Sequence, residues 1–379
     1  MSVVQAVDGN VNSRTVQLVK LLAEIGPDIP EISRRLGQFK ESVRYRYKEK
    51  IISKGFAVQA VADNERLGLR RMMVYVDFAE PYRMYAQSIL SAMNEMCYLV
   101  NFSKELVGSR YTVMLSVPGG LEDKVSQFFM ALKEKGMFTS VEVLMFDWHR
   151  VVPMKAEYYD FDTGRWDFQW ADPSADAASA VYSPAEQTKF DMADLLILKE
   201  LQMDANKSLK EVSEKLGINY KKLAWHYNAH VKGRNLIRGY MVNWMGTRYD
   251  YALEKALHRK HRYLGVDLVA RGVNEYETMI LREQLGRTPF VIAESVGASN
   301  YFARLMFPVD VVVEGFQFLG KMTDIVKGKI SWYPMDQTDA IAFTISYQLY
   351  DQARKSWTLN EAELAKRFEQ LIIEIKERS

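Results

Sequence analysis

The chain has a single cysteine, Cys97, among 379 residues. One thiol cannot close an internal disulfide or build a cysteine-based metal site, and this economy fits a reducing cytoplasm. No run of about eighteen apolar residues occurs, so no transmembrane helix is expected. The opening MSVVQAVDGNVNSR lacks a basic region followed by an apolar core and is not expected to be a secretory signal. There is no G-x-S-x-G motif and no dinucleotide fingerprint, and the one cysteine sits in no nucleophile motif. Catalysis is therefore not expected, and no cofactor is assigned. Net charge is also small, +2 at pH 7, which says nothing as a total.

Its distribution says more. Residues 30–58 carry eight Lys/Arg against three Glu, and residues 207–240 carry eight against two. Between them, residues 157–194 hold nine Asp/Glu against two basic residues. Both basic stretches carry the same pattern. PEISRRLGQFKESVRYRY (30–47) and LKEVSEKLGINYKKLAWHY (209–227) align at a shift of 180. Glu31 meets Glu211, Ser33 meets Ser213, Leu36 meets Leu216, Gly37 meets Gly217 and Tyr47 meets Tyr227. Leu18 and Leu21 pair with Leu198 and Leu201 on a preceding amphipathic helix. Each unit reads helix, short helix, glycine turn, longer helix, then a strand-like pair near Phe56–Val61 or Leu236–Val242. That is the order of a winged helix-turn-helix.

Downstream the likeness continues. RMMVYVDFA (71–79) and RYLGVDLVA (262–270) read as strands, and LVGSRYTVMLSVP (106–118) aligns with VGASNYFARLMFP (296–308). Helical patterns at 82–94, 121–135, 273–285 and 310–324 separate them, with final strands near 139–146 and 328–333. The order βαββαβ is ferredoxin-like. The fold expected is α+β: two tandem modules, each a winged helix-turn-helix followed by a ferredoxin-like domain, plus a C-terminal helix. Domain boundaries fall at 1–65, 66–155, 156–188 (an acidic aromatic segment and linker), 189–245, 246–357 and 358–379. YDQARKSW (350–357) reads as the counterpart of FDTGRW (161–166). The last helix opens with a capping box, Asn360 to Glu363, and its apolar stripe is expected to cover the chain's own core.

In a helix-turn-helix the second helix enters the major groove. Val43, Tyr47 and Ile51, like Leu223, Tyr227 and Val231, share an inward face. The opposite face and its flanks offer Gln38, Lys40, Ser42, Arg44, Tyr45, Arg46 and Lys48 in the first unit. In the second they offer Asn219, Tyr220, Lys221, Lys222, Trp225, His226 and Asn228. These are the candidate contacts to double-stranded DNA, with Lys and Arg on phosphates or guanine edges. Tyr45 and Trp225 share one outward position, where they meet either thymine methyls or a neighbouring protein surface.

Other motifs are set aside. GFQFLGKM (315–322) nearly spells a phosphate loop, but Met322 has no hydroxyl for magnesium and the repeat places it on a helix. His226 and His230 form an i,i+4 pair, but no glutamate completes a hydrolase pattern, and no metal is assigned. HRKHR (258–262) reads as further phosphate contacts or a solvated helix end.

The stretch 190–240, with HVKGRNLIRGY leading into the wing, resembles the leucine-responsive and asparagine-regulator (Lrp/AsnC) transcription factors, above all their archaeal members. ISKGFAV and NERLGL in the first unit resemble the same family's wing and linker. The resemblance implies a DNA-binding regulator of cytoplasmic, nucleoid-associated location, without a membrane partner. Its ferredoxin-like domains would pair through their sheets, as a homodimer or as a fused pseudo-dimer within one chain. Family members often hold an amino-acid effector at that interface. The associated glycine-x-x-aspartate-tyrosine turn reads Arg110-Tyr111 in one unit and Gly297 to Asn300-Tyr301 in the other. Both aspartates are missing, so a small-molecule effector site is left open without a named ligand. The alternatives are a ligand sensor or scaffold whose winged helices bind protein, and a non-specific architectural DNA-binding protein.

Overall fold

A computed structural model describes residues 10–175, 185–245 and 263–378. The HRKHR stretch and the second half of the ADPSADAASA linker lie outside these residues.

The first half begins with α1 (Asn10–Ile25), α2 (Ile29–Leu36) and α3 (Lys40–Arg46), which continues as a π-helical turn through Ile52. The residues shared by the two units turn out to do structural work. Gly37 caps α2 in the left-handed region, φ 60°, where a side chain would be strained. The Ser33 hydroxyl donates to the Gln38 carbonyl across that turn. Strand β1 (Ala57–Ala62) follows, then β2 (Leu69–Phe78), α4 (Ala86–Met93), β3 (Leu99–Glu105), β4 (Arg110–Pro118), α5 (Glu122–Glu134), β5 (Phe138–Phe146) and β6 (Trp148–Val151). A small hairpin, β7 (Tyr159–Asp160) and β8 (Arg165–Trp166), closes the half.

The second half repeats the order with α6 (Met192–Met203), α7 (Leu209–Leu216), α8 (Tyr220–Trp225) and a π-helical continuation to Lys232. Gly217 adopts φ 64°, and Ser213 Oγ donates to the Ile218 carbonyl at 2.6 Å, as in the first half. Then come β9 (Ile237–Asn243), β10 (Tyr263–Arg271), α9 (Glu275–Arg287), β11 (Val291–Val296), β12 (Asn300–Pro308), α10 (Val312–Ile325) and β13 (Ile330–Ala342). The hairpin β14 (Tyr350–Asp351) and β15 (Ser356–Trp357) matches β7–β8, and α11 (Glu361–Arg378) ends the described chain. The GFQFLGKM stretch lies on α10, with Phe318, Leu319 and Met322 buried.

The wings differ from expectation. Each half supplies one strand, and β1 pairs antiparallel with β9, Ala57 opposite Asn243 and Ala60 opposite Tyr240. In the first half the reason is chain length. A turn at Asp63–Gly68, with Gly68 at φ 69°, leads straight into β2, leaving no residues for a second wing strand.

Each ferredoxin-like half contributes four antiparallel strands, and β6 of the first half adds a ninth, to one sheet of order β5-β2-β4-β3-β13-β10-β12-β11-β6. The halves join where β3 pairs with β13. Sheet pairing thus occurs inside one chain. The terminal strands β5 and β6 are separated only by Asp147, so the sheet bends round upon itself. Rings from opposite halves consequently meet on its inner face: Phe146 with Phe302 at 6.4 Å and Tyr75 with Tyr333 at 6.1 Å. Period-two alternation divides the strands. On β2, Met72, Val74, Val76 and Phe78 face outward into the core beneath α4 and α5, while Met73 and Tyr75 face inward. On β12, Tyr301, Ala303, Leu305 and Phe307 pack beneath α9 and α10.

The segments that leave each half cross to the other. After β6 has paired with β11, Trp166, Phe168 and Trp170 pack against the second half around Phe290. In return, α11 buries Leu364 and Phe368 in the first half's core, with Phe368 against Phe128 at 5.1 Å. The C-terminal stripe therefore covers the chain's own core.

Candidate active site

Between the β1–β9 ribbon and the inner face of the bent sheet lies a cavity of about 1050 Å³. That is at the top of the range of roughly 300–1,000 Å³ usual for small-molecule sites. Much of its wall is apolar, including Met114, Met306, Met335, Phe302 and Trp357. The charged groups on it are Lys54, Arg71 and Arg304, with His149 among them, and no Asp or Glu lines it among the described residues.

Arg71 is the unusual member. Strand alternation points it inward from β2, it is 6 % exposed, and its Nε and Nη1 have no hydrogen-bond partner among the described residues. Burial lowers its proton affinity, and the charge of Arg304 lowers it further, yet it stays cationic at neutral pH. A buried guanidinium without a counter-charge is costly. Such a group in a cavity wall is preorganised for an anion that arrives from outside.

Arg304, on β12, is held differently. Its Nε and Nη2 donate to the two carboxylate oxygens of buried Asp267 at 2.7 and 2.8 Å. Nη1 reaches Asn101 at 3.1 Å and Nη2 reaches Ser103 at 3.2 Å, both on β3. The fork is thus fixed in orientation and its charge is largely compensated.

His149, on β6, has its Nδ1 2.8 Å from Ser295 Oγ. Burial pushes its proton affinity well below the ordinary histidine value, and Arg71, Arg238 and Arg304 add to the effect. The imidazole is neutral at pH 7, and an anion entering among those cations would raise its affinity for a proton.

The fourteen residues proposed from sequence as DNA contacts lie elsewhere, and none lines the cavity. Lys40, Ser42, Arg44, Lys48, Tyr220, Lys221 and Lys222 are exposed on the helix-turn-helix surfaces. Gln38 accepts from Arg46 at 2.8 Å. Asn219 caps α8 by accepting from Lys221 N at 3.0 Å, and Asn228 Nδ2 donates to the Ala224 carbonyl at 2.8 Å. Tyr45 is 70 % exposed. Trp225 is 56 % exposed, but one side of its ring packs on His230 at 4.6 Å and on His226 at 4.9 Å. His226 is not on the outer flank where helical spacing put it. It is buried, with Nδ1 3.0 Å from Asp194.

Arg71, His149 and Arg304 escaped sequence reading because they belong to no motif and sit on three distant strands. One signal was available. Asp267 and Arg304 each interrupt an apolar strand run, in LGVDLVA and YFARLMF, and charges so placed need partners.

The architecture is that of winged helix-turn-helix and ferredoxin-like units combined in one chain. No family model and no curated protein matches the sequence. Among solved structures, the siroheme decarboxylase NirDL is similar over 96 % of this chain and 99 % of its own, with TM-score 0.52 and 12 % identity. Its co-complex with an iron-uroporphyrin III analogue is similar over 88 % and 94 %, with TM-score 0.50 and 12 % identity. Escherichia coli AsnC matches only 38 % of this chain, though 97 % of its own, with TM-score 0.30 and 11 % identity.

These findings correct the sequence-based function. The regulator reading rested on the helix-turn-helix motif, its basic flanks and a family resemblance, whereas the architecture as a whole is shared over nearly its full length with a protein named as a decarboxylase. The expectations of a DNA-binding regulator and of a non-enzyme are both overturned. No helix among the described residues is long and apolar enough to cross a membrane.

Proposed function

We propose that the chain is an enzyme whose active site is the central cavity, acting on a large polycarboxylate of the modified-tetrapyrrole class and removing a carboxylate as carbon dioxide. The observation that carries this reading is the cavity wall: among the described residues it holds three cations, one of them a buried guanidinium with two unpartnered nitrogens, and no carboxylate. The full-length likeness to NirDL, named a siroheme decarboxylase and solved with an iron-uroporphyrin III analogue, supports the choice of substrate class.

The residues divide the work. Arg71 anchors a substrate carboxylate by charge-assisted hydrogen bonds. The methionine and aromatic walls cover the macrocycle and withhold water from the carboxylate that reacts, which favours release of neutral CO2. Cleavage of the carbon–carboxylate bond leaves an electron pair on the side-chain carbon, delocalised into the ring, and a proton must replace CO2 there. His149 is the group placed to pass that proton. Binding of the polyanion offsets Arg71, Arg238 and Arg304 and so raises the imidazole's proton affinity as substrate arrives.

The test is anaerobic incubation of the purified chain with siroheme and with iron-uroporphyrin III. Binding is followed by the change in visible absorption, and loss of CO2 by mass spectrometry of the extracted tetrapyrrole. Binding that Arg71→Leu weakens, with decarboxylated product from either compound, is the expected result. No binding of either polycarboxylate would sink the proposal.

A further inference from the structure

A second cluster lies in the other part of the molecule, on the second helix-turn-helix. Asp191 and Asp194 come from the start of α6; His226 and His230 come from the π-helical turn that continues α8. One donor atom from each of the four lies within 4.8 Å of all the others. His226 Nδ1 is 3.0 Å from Asp194 Oδ1 and 3.6 Å from Asp191 Oδ1, and His230 Nδ1 is 3.0 Å from Asp194 Oδ2.

We propose that Asp191, Asp194, His226 and His230 bind one divalent transition-metal cation of the zinc class. Four donors at metal–ligand bonds of about 2.0–2.2 Å stand about 3.3–3.6 Å apart at the corners of a tetrahedron. The measured pairs, at 3.0–3.6 Å, lie within a few tenths of an ångström of that edge, and the remaining pairs lie within 4.8 Å. The 3.6 Å pair is too long for a hydrogen bond but fits a tetrahedral edge. Two imidazoles and two carboxylates form an N2O2 set, suited to zinc, cobalt or nickel rather than to calcium or magnesium. Asp194 is wholly buried and, among the described residues, has no Lys or Arg ion pair, so a dication would supply a counter-charge for its carboxylate.

The supporting contacts are in place. Asp191 Oδ1 accepts from Ala193 N at 2.9 Å, and Asp194 Oδ2 accepts from Asp191 N at 2.9 Å, orienting both carboxylates. The Trp225 ring covers one side of the two imidazoles. In the first half the matching positions hold Val11, Arg14, Arg46 and Lys50, so the site belongs to one half only. Four protein donors leave no open position, which marks a structural site. The metal would staple the start of α6 to the end of the helix that carries Trp225.

The test uses the full chain, stripped by chelator and titrated with Zn2+ in competition with a chromophoric chelator, then with Co2+ followed by visible absorption. The expected result is one tight equivalent of Zn2+, intense tetrahedral Co2+ bands, and a higher melting temperature with Zn2+ than with chelator. The double variant His226→Gln/His230→Gln should lose the equivalent. Its affinity should fall by more than the ~10–100-fold that an outer-shell partner costs. Asp191→Asn keeps the helix cap, because Asn caps as well as Asp, but removes a charged ligand. It should therefore fold normally and bind more weakly, which keeps the test valid if the double variant misfolds. His149→Gln and the pair His258→Gln/His261→Gln should bind as wild type. Absence of stoichiometric binding would overturn the proposal and leave a hydrogen-bonded cluster only. Binding indifferent to Asp191→Asn and to the double variant, or lost with His258 and His261, would also overturn it.

Discussion

Replacing Arg71 by methionine should make the protein more stable and worse at its proposed task. The guanidinium is almost fully buried, two of its nitrogens lack partners, and Arg304 adds repulsion. Exchanging buried charge for apolar atoms of similar reach stabilises proteins by about 1–4 kcal/mol, and about 2 kcal/mol is a fair central value here. Methionine needs no repacking, because the side chain borders a cavity instead of filling a closed core. Unfolding entropy of about 2.1 cal/mol/K per residue gives roughly 0.8 kcal/mol/K for this chain, so 2 kcal/mol raises Tm by ~2–3 °C if the chain unfolds in one transition. Ligand affinity should move the other way. Losing a charge-assisted contact worth about 1.5–3 kcal/mol weakens polycarboxylate binding by ~10–100-fold. Scanning fluorimetry and urea denaturation read the first effect, and absorption titration with iron-uroporphyrin III reads the second. Arg71→Lys should recover part of the affinity and little of the stability. A destabilisation above about 1 kcal/mol in Arg71→Met would refute the reasoning, since it would mean that the guanidinium is held by the fold.

Three further outcomes are expected. Glu200 is wholly buried, and although burial pushes its pKa up, hydrogen bonds and charge from Lys207, Lys215 and Lys199 outweigh that and hold it at about 2. Its stabilisation is full above the unfolded carboxyl value and lost as pH falls through about 2. Glu200→Gln should therefore cost ~2–3 kcal/mol at pH 7 in urea denaturation, with the gap to wild type closing in acid. The depressed His149 works in the opposite sense: the unfolded chain takes up a proton below about pH 6.5 while the folded one does not, so stability falls on acidification. His149→Gln should flatten that decline by up to about 1.4 kcal/mol per pH unit, read from denaturation midpoints between neutral and mildly acidic pH. Phe368→Ala, which empties a buried site between α11 and α5, should cost ~3–5 kcal/mol and expose the first half's core to a hydrophobic dye.

Much of this fold was legible because it is written locally. The glycines that end α2 and α7 mark the helical turns, and the shared Ser33 and Ser213 hydroxyls close them. Strand alternation and helix spacing gave the ferredoxin-like order in both halves, and the Tyr159–Trp166 hairpin has its counterpart at Tyr350–Trp357. What was not legible depends on pairings that no local pattern encodes. The β1–β9 ribbon joins strands about 180 residues apart, and nothing in either strand names its partner. The cavity gathers one arginine from β2, another from β12 and a histidine from β6, each ordinary in its own stretch. The i,i+4 histidines were visible, but the carboxylates that complete their cluster lie 32 or more residues earlier, on another helix. The shared residues of the helix-turn-helix repeat misled for a related reason. Glu, Ser, Leu, Gly and Tyr at matched positions build the hairpin, and a motif retained for its architecture carries no information about what it contacts.

The exchange of tails between the halves makes the chain behave as an interlocked pair. Trp166, Phe168 and Trp170 belong by sequence to the first half and pack, partly buried, against the core of the second, while Leu364 and Phe368 from the second half are buried in the core of the first. A polypeptide severed between its halves would yield two fragments that each expose an apolar face and lack the segment that covers it. Neither should persist as a soluble monomer, but the two co-expressed should reassemble by fragment complementation, each supplying the other's missing cover. Since the cavity draws its cations from both halves, only the reconstituted pair would possess it.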